Sequence, residues 1–211
     1  MLSRTFLAAG LVGLVGLVGA ACSDDDDAAV ESSPSEAAAE HNDADVTFAQ
    51  GMIPHHRQAI EMAELAPDRA EDERVLDLAQ RIESAQAPEI AEMTGWLEDW
   101  DEDVPAEGEG GHDEHDSGSG VSGMMTTEDM DSLEAASGAE FDQMFLTMMI
   151  EHHNGALDMA ETEVEDGQFH DAIALAEAII DAQESEIAEM QAILDEGGTA
   201  ASTSSSMGMT G

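Results

Sequence analysis

The sequence predicts an all-α fold, a four-helix bundle built from two duplicated helical hairpins. Three observations lead there: apolar residues recur at helical spacing, two blocks of the chain are related by a constant offset, and the segments around those blocks are too polar to bury a core.

The repeat sets the organisation. Two blocks, roughly 45–100 and 139–196, are related by a shift of 97 positions without a gap. Asp45 meets Asp142, Phe48 meets Phe145, Met52-Ile53 meets Met149-Ile150, and His55-His56 meets His152-His153. Ala59, Met62, Ala63 and Glu64 find Ala156, Met159, Ala160 and Glu161, and Glu89 to Met93 find Glu186 to Met190. About 21 of roughly 53 positions are identical, concentrated on apolar and His positions, which argues for duplication rather than shared composition.

Each block reads as two helices. Phe48, Met52, His55, Ala59, Met62 and Ala66 step by three and four along one stripe. Pro67 is expected to end that helix or begin the next. Val75, Leu78, Ile82, Ala85, Glu89, Met93 and Leu97 trace the second stripe. Phe145 to Met159 and Ile173 to Leu194 repeat the two patterns, with Gly167 as the break. Pro54 and Pro88 each remove one helical hydrogen bond, so kinks are expected there. Thr127-Glu-Asp-Met reads as the capped start of a short helix before the second block.

The bundle is therefore expected over 43–196, with a flexible linker over 101–126. Residues 1–21 read as a signal peptide: Arg4, then an apolar Gly/Leu/Val run, then small residues before Cys22. A lone Cys after Gly19-Ala20-Ala21 is similar to a bacterial lipoprotein cleavage site, so Cys22 is the expected lipidation point. Residues 22–42 read as a disordered acidic tether and 197–211 as a disordered tail. The expected location is the outer face of the cell membrane, or the periplasm and cell envelope.

Composition excludes some functions. With 49 acidic residues, five Lys and Arg, and a net charge of −44, the chain repels nucleic acid and attracts cations. The buried stripes then supply the chemistry. Met52, His55, Ala59 and Met62 fall at i, i+3, i+7 and i+10, as do Met149, His152, Ala156 and Met159. His56 and His153 sit 100° round, at the stripe's edge. The second helices add Met93 and Met190, with Glu89 and Glu186 one turn earlier.

Thioether sulfur is a soft, uncharged ligand suited to Cu(I) and Ag(I), and imidazole also accepts Cu(II). The expected ligands are thus Met52, His55, His56, Met62, Met93, Met149, His152, His153, Met159 and Met190, and the expected metal is copper, Cu(I) before Cu(II). Met at helical spacing also serves as plain core, and a buried His can simply be hydrogen-bonded. His112, His115, Met124, Met125, Met207 and Met209, in the linker and tail, could capture metal transiently.

The pattern Asp-x-x-Phe-x-x-x-Met-Ile-x-His-His-x-x-Ala-Ile/Leu-x-Met-Ala, followed by Leu-Ala-x-x-Ile-x-x-Ala-Gln-x-x-Glu-Ile-x-x-Met, resembles the bacterial family called domain of unknown function 305. Both copies match, and Met-Ile-Pro-His-His at 52–56 is its hallmark; Glu151 replaces Pro54 in the second copy. The resemblance implies a ferritin-like bundle exported from the cytoplasm. Its CopM-like members imply copper binding linked to copper resistance, with Met52, His55, His56 and Met62, and their second-copy equivalents, filling the motif.

The leading expectation is a non-catalytic protein that sequesters or delivers copper outside the membrane. One alternative is a structural or interaction bundle without metal, and a homodimer is left open. Another is a di-iron-type oxidase, which would use Glu-x-x-His motifs on helices. The chain has one such spacing, Glu109 to His112, in the Gly-rich linker.

Overall fold

The computed structural model describes residues 40–106 and 122–206, with side chains through residue 197. The signal peptide, Cys22, most of the acidic tether, His112, His115, Met207 and Met209 lie outside the described residues. Five helices follow in order: α1 (Asp43–Arg69), α2 (Glu73–Asp99), α3 (Thr127–Ala135), α4 (Ala139–Asp166) and α5 (His170–Ser206). No strand occurs among the described residues. α5 runs as helix beyond residue 196, where the sequence places the end of the bundle.

Capping chemistry fixes the starts. Asn42 caps α1 and Asp45 returns the favour to the Asn42 backbone, a reciprocal box that satisfies otherwise orphaned N–H groups. Asp72 caps α2. α3 opens on Thr126, one residue before the expected start, with Asp129 completing its box. α4 starts after Gly138, which sits at φ 62, a conformation that suits a residue without Cβ. The prolines do not end helices here. α1 continues through Pro54 and through Pro67 to Arg69, and α2 continues through Pro88.

α1 packs along α2 and α4 along α5, and the two hairpins meet chiefly through α1 and α4. α1 and α4 run antiparallel: His55 lies against His152, while Ala66 shares a core cluster with Phe141. That pairing divides the interior in two. One apolar cluster holds Met62, Leu78, Phe145, Met149 and Met190, and the other holds Phe48, Met52, Trp96, Ala156 and Ile179. The histidines occupy the level between them. Ala85, placed on the second stripe by spacing, is exposed, and its neighbour Gln86 is buried instead.

The hairpins are cross-tied by two carboxylates at equivalent positions. Asp142 on α4 accepts the backbone N–H groups of Glu71 and Asp72 in the turn between α1 and α2. Asp45 on α1 accepts those of Gln168 and Phe169 in the turn between α4 and α5. Each hairpin therefore terminates its partner's turn with a charge-assisted hydrogen bond.

Asp142→Ala and Asp45→Ala should each lower unfolding stability by about 2 kcal/mol, the scale for hydrogen bonds to a charged group. Urea titration reads this directly, with exposed Glu83→Ala as the control for removing one negative charge. Midpoints indistinguishable from that control would show that the cross-ties contribute nothing.

Candidate metal centre

Four imidazoles meet at the middle of the bundle. His55, His56, His152 and His153 each have 0% relative exposure. His55 and His152 come from facing turns of α1 and α4, and their ring centroids lie 3.7 Å apart at an interplanar angle of 36°. His56 and His153 are not at the edge of the stripe, as spacing alone suggests. α1 is covered by α2 on one side and by α4 on another, so its buried arc is wide enough to take in both members of the pair.

The outer pair is held by carboxylates. His56 Nε2 donates to Glu89 Oε2 at 2.7 Å, and His153 Nε2 donates to Glu186 Oε2 at 2.8 Å. These two contacts are equivalent under the 97-residue offset. A proton committed to Nε2 leaves Nδ1 of the neutral ring as a lone pair, the arrangement by which carboxylates orient metal-binding imidazoles. Glu89 and Glu186 thus act on the histidines rather than joining the sulfur groups as ligands.

The interior polar atoms are conspicuously unmatched. Both ring nitrogens of His55 and of His152, and Nδ1 of His56 and of His153, are buried without a hydrogen-bond partner in the chain. Gln86 and Gln183, also equivalent under the offset, are buried with their side-chain carbonyl oxygens unpartnered. Burial holds the His55 imidazole at about 3, far below its usual value, and the neighbouring imidazoles of His56 and His153 push the same way. Burial, then His55 and the other two rings, likewise depresses His152.

The methionines divide between the two sides of this layer. Met52, Met93 and half-buried Met159 belong with one apolar cluster, and Met62, Met149 and Met190 belong to the other. The two thioethers of one motif do not converge, because Met52 and Met62 are ten residues apart, about 15 Å along the helix. Each side instead takes one methionine from three different helices: α1, α2 and α4 for the first, and α1, α4 and α5 for the second. Among the described residues, no three His, Cys, Asp or Glu side chains stand as a ready-made metal cluster. The chemistry on offer is imidazole nitrogen flanked by thioether sulfur, which fits a soft cation better than a hard one.

A strap covers the layer where α1 meets α4. Gly123, at φ 78, passes over Gly155, and a Cβ on Gly155 would lie 2.0 Å from the Ser122 carbonyl oxygen. Gln58 then locks the strap by donating to the Met125 carbonyl at 2.9 Å and accepting from the Met125 N–H at 2.7 Å. Met125 is buried in the core, and Met124 beside it is half-buried. The end of the linker expected to be flexible is therefore part of the bundle. The other end is tied to the same helix, where Arg57 donates to the carbonyl oxygens of Pro105 and Ala106.

The fold and site define a helical-bundle protein with a buried imidazole layer between two thioether-bearing cores. The chain belongs to the family described as "Domain of unknown function (DUF305)", whose model matches residues 45–194. It is similar to a DUF305 protein of Streptomyces coelicolor designated as secreted, with 34% identity and a TM-score of 0.65, covering 74% of this chain and 94% of that one. It is also similar to CopM in its Cu(I)-bound form, with 31% identity and a TM-score of 0.58, covering 72% and 96%. The Cu(II)-bound form of CopM gives 33% identity and a TM-score of 0.61, with the same coverage. No curated protein matches the chain.

Two outcomes are expected. Imidazole 15N shifts should show His55 neutral at pH 5. Its folded pKa of about 3 lies below the ordinary 6.5, so the stability tied to its neutral form is full above 6.5 and is lost as pH falls toward 3. A protonated His55 at pH 5 would contradict this burial. Separately, Gly155→Ala should expel the strap, seen as loss of Met125 amide protection in hydrogen exchange. Unchanged protection would mean that the strap does not need the glycine.

Proposed function

We propose that the protein is a non-catalytic, extracytoplasmic copper-binding protein that sequesters or hands on copper, with Cu(I) preferred and Cu(II) accepted. One observation carries the reading: six imidazole nitrogens are buried without a partner in the chain, between cores that carry thioethers. Each unmatched buried polar group costs about 1–3 kcal/mol, so a layer of six is expensive as mere packing. A neutral imidazole carries one lone pair and one N–H, so a metal ion would answer four of the six nitrogens, one per ring, and offset that part of the cost. CopM was crystallised with Cu(I), Cu(II) and silver, which supports the same chemistry here.

His55, His56, His152 and His153 would supply nitrogen, with Glu89 and Glu186 setting the outer tautomers. Met52, Met93 and Met159 would supply sulfur from one side, and Met62, Met149 and Met190 from the other. Copper, when bound, would supply a soft Lewis acid, and the chain's own part is to orient the rings and exclude water. The division of the methionines favours two symmetry-related positions over one shared centre.

Export rests on the N-terminal residues, and the secreted designation of the Streptomyces relative agrees with it. We include lipidation at Cys22 in the proposal; radiolabelled palmitate incorporation, absent in Cys22→Ala, tests it. Among the described residues no helix is long and apolar enough to cross a membrane.

The combined His55→Ala and His152→Ala variant should bind Cu(I) at least about tenfold more weakly, a loss of about 1.4 kcal/mol, while circular dichroism shows the helices intact. Competition against a chromogenic Cu(I) chelator measures it. Wild-type affinity in the folded double variant would leave the layer as packing and move copper elsewhere.

A further inference from the structure

At one buried position the offset that relates the two halves sets a carboxyl group against plain hydrocarbon. Glu163 on α4 corresponds to Ala66 on α1. Ala66 is ordinary core, whereas Glu163 is a carboxyl group with 1% exposure that lies beside the buried Asp45 carboxylate, to which its protonated form donates. It is seated over Gly167, where a Cβ would come within 2.3 Å of its Oε1.

Glu163 lines a groove of about 550 Å³ between the start of α1 and the end of α4. Phe48, Ala44 and the half-buried Met159 give it apolar walls. Gly51 keeps it open, since a Cβ there would lie 3.3 Å from the Met159 sulfur. Exposed Asp43 and Asp158 complete the lining with carboxylates.

Size and charge select the occupant. The volume is that of a small-molecule site and is far larger than a bare metal ion requires. Carboxylates in the lining and a net charge of −44 exclude anions. An alkyl chain would cover the apolar walls, and a cationic head would answer Glu163 and lie against the Phe48 ring. We propose that this groove is a binding site for small organic cations with an apolar body, of the alkylammonium class, with Glu163 as the buried counter-ion. No imidazole lines the groove, and its one residue in common with the proposed copper ligands is Met159.

Isothermal titration of the full chain with hexyltrimethylammonium tests this. Burial, then neighbouring Asp45, raises Glu163 to about 8, so the titration is run at pH 9, where the carboxylate predominates. A dissociation constant below about 1 mM is expected, with 1-hexanol and hexanoate at least about tenfold weaker. Glu163→Gln should weaken the cation by about tenfold or more, and Thr47→Trp, at an exposed position of the lining, should block it by filling the groove. The proposal is overturned if hexanol binds as tightly as the cation, or if both variants bind it like wild type. Failure of the cation to bind the folded wild-type chain, with Ag(I) alone perturbing the Met159 methyl signal, overturns it as well.

Discussion

Burial of four imidazoles between two antiparallel helices is the constraint on which the rest of the architecture turns. Such groups are tolerated in an apolar interior only when something fixes their tautomers and answers their lone pairs. The second helix of each hairpin does the first, through Glu89 and Glu186. α1 and α4 must then approach closely enough for His55 and His152 to touch, and the carboxylate cross-ties from Asp45 and Asp142 hold the hairpins in that register. The contacts that pair the hairpins are thus the same ones that build the site.

Much of this was legible in the chain. The steps of three and four through Phe48, Met52, His55, Ala59 and Met62 mark a helix with one buried face, and the same steps 97 residues later mark its counterpart. Four such helices of modest length have few ways to hide their stripes except against one another. The short capped helix before the second block was visible in the Thr-Glu-Asp-Met signal, although its cap lies one residue earlier.

What could not be read depends on which helix faces which. Spacing gives an angle around one axis, and it cannot say that α1 is covered on two sides, so His56 looked peripheral. The split of the methionines into two groups follows from antiparallel pairing, which sets Met52 level with Ala156 rather than with Met149. Gln86 displaced Ala85 from the interior because the polar layer, not apolar periodicity, governs that turn of α2. The strap was hidden by composition: Ser122 and Gly123 read as loop, and only the opposing Gly155 betrays a crossing of two backbones.

The mismatch between Ala66 and Glu163 means that the two hairpins are no longer interchangeable parts. A chain assembled from two first hairpins would retain the paired histidines and their glutamates, yet it would offer hydrocarbon where the natural second hairpin offers an acid. The halves differ in chemistry at this end of the molecule, while the paired histidines and their glutamates match at its centre. The likeness of the halves holds where α1 and α4 meet through His55 and His152, and it fails where the end of α4 carries an acid that α1 lacks.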